Sequence, residues 1–165
     1  MMQGALAEHP TTNPIDVIET IVTAREWPFD RRSDEEMAAE VPGRWCDYGM
    51  FFAWSEELKA LHFSCALDMR VPEKRLHAVY ELLAALNERM WLGHFVVWRE
   101  EGVPMFRHTL WTGGTGSVSE TVEDLVEHAV AECERFYTAF QFVIWAGKSP
   151  AEAIEAAMLD TVGEA

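Results

Sequence analysis

Between residues 60 and 69 the chain alternates strictly, with Leu61, Phe63, Cys65, Leu67 and Met69 set against Ala60, His62, Ser64, Ala66 and Asp68. A helix cannot gather residues two apart on one side, so this segment is a strand with one buried face. A single strand cannot bury a face alone. The rest of the chain must supply partner strands and a covering layer.

The partners are readable on both sides. Trp45 to Trp54 is an aromatic-rich strand, joined to the alternating segment by the polar turn Ser55-Glu56-Glu57. A weaker strand runs from Glu36 to Val41 and is stopped by Pro42-Gly43. Gly93 to Glu100 and Val103 to Trp111 form a second hairpin around Glu101-Gly102. Short turns between consecutive strands favour antiparallel pairing.

The covering layer is equally visible as a period near 3.6. Asn13 can cap a helix whose first position is Pro14 and whose apolar stripe is Ile15, Ile18, Ile21 and Val22, ended by Trp27-Pro28. Pro72 opens a second helix through Leu76, Val79, Tyr80, Leu83, Leu86 and Met90. Ser117 and Glu120 make a capping box for a long third helix, with Val122, Leu125, Val126, Ala129, Cys133, Phe136 and Phe140 on its stripe. Ser149-Pro150-Ala151-Glu152 starts a short amphipathic fourth. The fold class is therefore α+β: an antiparallel five-stranded sheet with helices packed on it, in the order α-β-β-β-α-β-β-α plus a short C-terminal helix. Residues 1–12 read as a flexible tail, 13–147 as the domain, and 148–165 as a C-terminal helix and tail.

With 165 residues, one domain can bury roughly 70% of the extended chain's surface, so no staple is needed. Cys46, Cys65 and Cys133 show no C-x-x-C spacing and sit among apolar neighbours, as buried thiols do. A net charge of −15, with 13 basic residues, repels phosphate backbones and anionic lipid, which excludes nucleic acid and membrane surfaces as partners. No segment resembles a secretory signal or a membrane span, which points to the cytoplasm.

One stretch carries a family resemblance: Leu86-Asn87, then Gly93-His94-Phe95, then a hairpin with Phe106-Arg107 leading into Thr109-Leu110. An Asn near the end of the central helix, a Gly-x-Phe opening the next strand and an aromatic-Arg pair in the following one resemble the YbjN family, over about Pro14 to Trp145. The resemblance implies a type III secretion chaperone-like fold, which commonly dimerises and binds other proteins, and a regulatory role. The matching residues themselves read as structural: Asn87 satisfies backbone groups at a helix end, Gly93 permits a turn, and Phe95 enters the core. Arg107 completes the pattern.

Candidate chemistry elsewhere is sparse. Gly113 to Gly116 lie where a phosphate-binding loop would, but no Lys-Ser/Thr follows and Glu120 and Glu123 oppose an anion. Asp124, His128 and Glu132 share a helix face and could hold a divalent metal, yet such spacing is ordinary on an acidic helix. His62, His94 and His108 could act as general bases if a nucleophile stood beside them. No catalytic signature places one. The chain is expected to be non-enzymatic, without cofactor or metal; the alternatives are a small-molecule-sensing regulator and, behind it, a hydrolase or metal-binding enzyme.

Aromatic residues are the stronger signal. The strand from Trp45 to Trp54 is partly apolar on both parities, and Trp98 and Trp111 extend this into the second hairpin. Either all are core, or Trp45, Trp54, Trp98 and Trp111 mark a dimer or partner surface. Acidic residues Glu56, Glu57, Glu100 and Glu101 would steer a basic protein partner towards it. The expected protein is a homodimer acting by protein binding.

Overall fold

The computed structural model describes residues 13–112 and 118–164, with side chains described as far as residue 159. The N-terminal tail, the Gly113–Gly116 segment and Ser117 lie outside the described residues. Helix α1 (Pro14–Ala24) starts as its sequence dictates: the Asn13 side chain accepts a hydrogen bond from the Ile15 N–H at 2.9 Å, and Pro14 occupies the first helical position. It stops before Trp27-Pro28. Glu26 adopts a left-handed φ of 58° and the Trp27 N–H donates to the Val22 carbonyl, a closure usually made with Gly.

Strand β1 (Phe29–Arg31) follows, then β2 (Glu36–Pro42), β3 (Asp47–Ser55) and β4 (Ala60–Ala66). After a short 3-10 turn at Glu73–Arg75 come α2 (Leu76–Glu88), β5 (His94–Trp98), β6 (Val103–Trp111), α3 (Val118–Ile144) and α4 (Pro150–Glu164). The sheet is antiparallel throughout, but it has six strands in the order β1-β2-β3-β4-β6-β5, not the expected five. The additional strand is β1. Three residues are too few to show alternation, and this edge strand is defined by its pairing to β2 and by Arg31, which reaches Asp16 at 2.7 Å and Glu19 at 3.0 Å on α1.

All four described helices lie on one side of the sheet, α1, α2 and α3 against the strands and α4 against α2 and α3. The buried strand residues have a single parity: Met37, Ala39 and Val41; Tyr48, Met50, Phe52 and Trp54; Leu61, Phe63 and Cys65; Phe95; Phe106. Against them lie Ile15, Ile18 and Val22 of α1, Val79, Leu82 and Leu86 of α2, and the long apolar stripe of α3. The C-terminal helix joins the same core: α4 buries Ala153, Ile154 and Ala157 against α2 and α3, starting from a capping box in which the Glu152 N–H donates to Ser149 Oγ at 3.2 Å.

Candidate functional site

Cross-strand register builds the opposite face residue by residue. One row runs Ala38, Phe51, Ser64, Arg107 and His94 across β2, β3, β4, β6 and β5. The row on one side is Glu36, Ala53, His62 and Thr109; on the other it is Glu40, Gly49, Ala66, Met105 and Val96. No described helix covers these rows. Because β2 to β4 contribute mainly Ala, Gly and Ser here, the surface is flat, with Phe51, Met105 and Val96 standing above it. Trp98 and Trp111 share the parity of this face and sit at opposite ends of it, 49% and 84% exposed.

A polar island occupies the β4–β6 side. Arg107 Nη2 lies 2.8 Å from His62 Nε2, and His62 Nδ1 lies 3.0 Å from Thr109 Oγ1. A guanidinium only donates, so Nε2 accepts and the Nδ1–H donates to Thr109; the imidazole is neutral with a defined tautomer. Burial first, then Arg107, then His94, holds the His62 pKa below its ordinary value. Both His62 nitrogens are engaged, so neither is directed at Ser64. Arg25, Arg31, Arg32, Arg70 and Arg135 each pair with a carboxylate, whereas no described carboxylate lies within 4.0 Å of Arg107.

The remaining residues singled out in the sequence divide by location. Trp54 is 8% exposed, belongs to the helix-side core and donates its indole N–H to Glu56 at 2.9 Å. Trp45 precedes β3 instead of lying in it; it stacks on Tyr137 with ring centroids 6.1 Å apart and donates to the Glu134 carbonyl at 3.3 Å. Glu134 also receives the Arg44 N–H and the Tyr48 hydroxyl, so the β2–β3 turn is pinned to α3. Burial, with Glu134 nearby, raises the Tyr48 pKa and keeps the phenol protonated.

The Asn87 side chain serves β5, not the expected helix end, which backbone groups close. Its Nδ2 donates to the Phe95 carbonyl at 3.0 Å and its Oδ1 accepts from the Phe95 N–H at 2.7 Å, so the side chain takes the place of a missing neighbour strand along β5. Gly93 has φ +71°, and a Cβ there would stand 2.2 Å from Phe106 Cζ. Phe95 packs edge-on against Phe106, Phe136 and Phe140. Asn87, Gly93 and Phe95 form one structural unit. Arg107, in the adjacent strand, points the other way.

Asp124 is exposed, the His128 ring lies edge-on to Phe106, and Glu132 pairs with Arg135 at 3.7 Å. No group of three metal-ligating side chains gathers among the described residues. Cys65 and Cys133 are buried with their sulfurs 3.8 Å apart, and Cys46 is half-buried. Among the described residues, no helix is long and apolar enough to cross a membrane.

The juxtaposition of His62, Arg107, Thr109 and His94 had no local signal in sequence. It depends on β6, rather than β5, pairing with β4, a non-local choice. Comparison with known proteins decides the family: the YbjN profile, described as "Putative bacterial sensory transduction regulator", matches residues 14–142. The chain belongs to the YbjN family. No curated protein matches it. In this YbjN protein the matched span contains the entire sheet and most of α3, while α4 lies beyond it.

Proposed function

We propose that this YbjN protein is a non-enzymatic, cytoplasmic binding protein in a regulatory system, and that a partner protein docks on the uncovered sheet face. The observation that carries this reading is the one-sided sheet: six strands with helices on one face and Phe51, Val96, Met105, Trp98 and Trp111 on the other. Apolar residues on an uncovered face are a recurring mark of protein interaction, and aromatic residues and Met are favoured in interface cores. A chaperone-like role and a homodimer belong to the same proposal, since a second copy is one way to cover part of this surface.

The test is affinity capture from native extract with the wild type beside a Trp98→Ala, Trp111→Ala, Phe51→Ser variant whose melting temperature is unchanged. A partner held by the wild type and lost by the variant supports the reading; equal capture by both refutes it. Light scattering on the purified protein decides the homodimer. The small-molecule alternative has its own location, an open cleft of about 690 Å³ between α2 and α4 lined by Glu81, Ala85, Arg89, Ile154 and Met158. Its volume suits a metabolite. A metabolite that raises the melting temperature of the wild type but not of Ala85→Trp would favour it.

A further inference from the structure

We infer that Arg107, with His62 and His94, forms a carboxylate-binding subsite on the uncovered face, which receives an Asp or Glu side chain of an extended partner segment. The inference rests on reading that face as a docking surface and specifies what it recognises there. Its basis is the charge around Arg107. The protein carries 28 acidic residues against 13 basic ones; five arginines are paired with carboxylates, while Arg75, half-buried, donates to the Val143 carbonyl instead. Arg107, half-buried on the strand next to the β5 edge, directs Nη2 at a histidine nitrogen. A partly desolvated guanidinium without a counter-ion is unfavourable, and a carboxylate can accept two parallel N–H bonds from its fork.

The neighbours favour the same ligand. His94 is directly opposite Arg107 in the β5–β6 ladder, and Ser64 opposite it in the β4–β6 ladder, so an imidazole and a hydroxyl flank the guanidinium on the same face. The His62 Nδ1–H bond to Thr109 leaves Nε2 as an acceptor for Arg107, which orients the guanidinium without neutralising it. Acidic strand residues with the parity of this face are Asp30 on β1, Glu36 and Glu40 on β2, and Asp47 at the start of β3, so β4 separates all of them from the strand that carries Arg107. The chain's overall negative field can therefore attract basic residues of a partner while this subsite takes a carboxylate from the same segment.

A protein segment fits better than a free anion. The subsite is flat and bordered by Phe51, Met105 and Val96, whereas small ligands occupy concave sites that enclose most of their surface. An extended peptide with apolar residues beside its carboxylate would cover the border and the island together.

The experiment is a two-dimensional amide NMR titration of the full chain with the blocked peptide acetyl-Val-Asp-Val-amide, its Asn counterpart, and succinate. Shifts centred on Ser64, His94 and Arg107, at least tenfold tighter binding of the Asp peptide than the Asn peptide or succinate, and loss of that preference in Arg107→Gln are expected. Arg107→Lys, which keeps the charge but not the fork, should retain part of the preference. Equal binding of Asp and Asn peptides on the face would overturn the carboxylate subsite while leaving the docking reading intact. Succinate matching the Asp peptide would overturn the protein-segment assignment. Absence of shifts from all three probes, or an Arg107→Gln variant that folds and binds like the wild type, would overturn the subsite.

Discussion

Replacing Asn87 with Ala tests whether one side chain substitutes for a neighbour strand at the β5 edge. The substitution removes two hydrogen bonds, of 3.0 Å to the Phe95 carbonyl and 2.7 Å to the Phe95 N–H. Both abandoned groups belong to backbone whose side chain is 1% exposed. Leaving such a group without a partner costs about 1–3 kcal/mol, and partial access of water along an edge places each near the lower half of that range. The expected loss is about 2–4 kcal/mol, which at a slope of roughly 2 kcal/mol per molar urea lowers the unfolding midpoint by about 1–2 M. Asn87→Asp should give no rescue, because it keeps the acceptor for the N–H but sets a carboxylate oxygen against the Phe95 carbonyl. Hydrogen exchange supplies the local readout: the Phe95 amide should be protected in the wild type and exchange much faster in Asn87→Ala. A loss below about 0.5 kcal/mol, or unchanged Phe95 protection, would refute the strand-substitute role.

Three further outcomes are expected. Gly93→Ala should destabilise by about 2–4 kcal/mol, combining a positive φ with overpacking onto Phe106, whereas Gly49→Ala, with open space around its Cβ, should stay within about 0.5 kcal/mol; paired urea melts compare them. His62 and His108 both have pKa values lowered chiefly by burial, so the unfolded chain binds protons more readily. Stability should therefore be full above the ordinary imidazole range and decline as pH falls through it, and a His62→Gln, His108→Gln variant should show a flatter stability profile between pH 5 and 7.5; an unchanged slope would count against these two groups. With a thiol reagent in native buffer, half-buried Cys46 should react first, though slowly because burial raises its pKa, while Cys65 and Cys133 should wait for unfolding; simultaneous labelling of all three would contradict that order.

Much of this architecture follows from periodicity alone. The alternation from Leu61 to Met69 and the stripes through Ile15, Leu76 and Val122 identify strands and helices because each buried face must repeat with the geometry of its backbone. Asn13 and Ser149 act as caps because capping needs only neighbours two or three residues away. Strand β1 escaped such reading, being three residues at an edge whose pairing lies across the sheet. Trp54 was ambiguous for a related reason: an aromatic residue on a strand is equally suited to core and to surface until the covering layer is placed.

Apart from β1 and the buried face of β3, the sequence by itself determined which segments are strands, which are helices and which face of each is apolar, since these depend on contacts within a turn or a strand. Only the tertiary structure decided that all four described helices share one side of the sheet, that Asn87 completes the edge of β5, and that β6 sets Arg107 beside His62. Those outcomes depend on residues 8 and 45 positions apart meeting through strand order and layer packing, and no local pattern specifies which strand becomes whose neighbour.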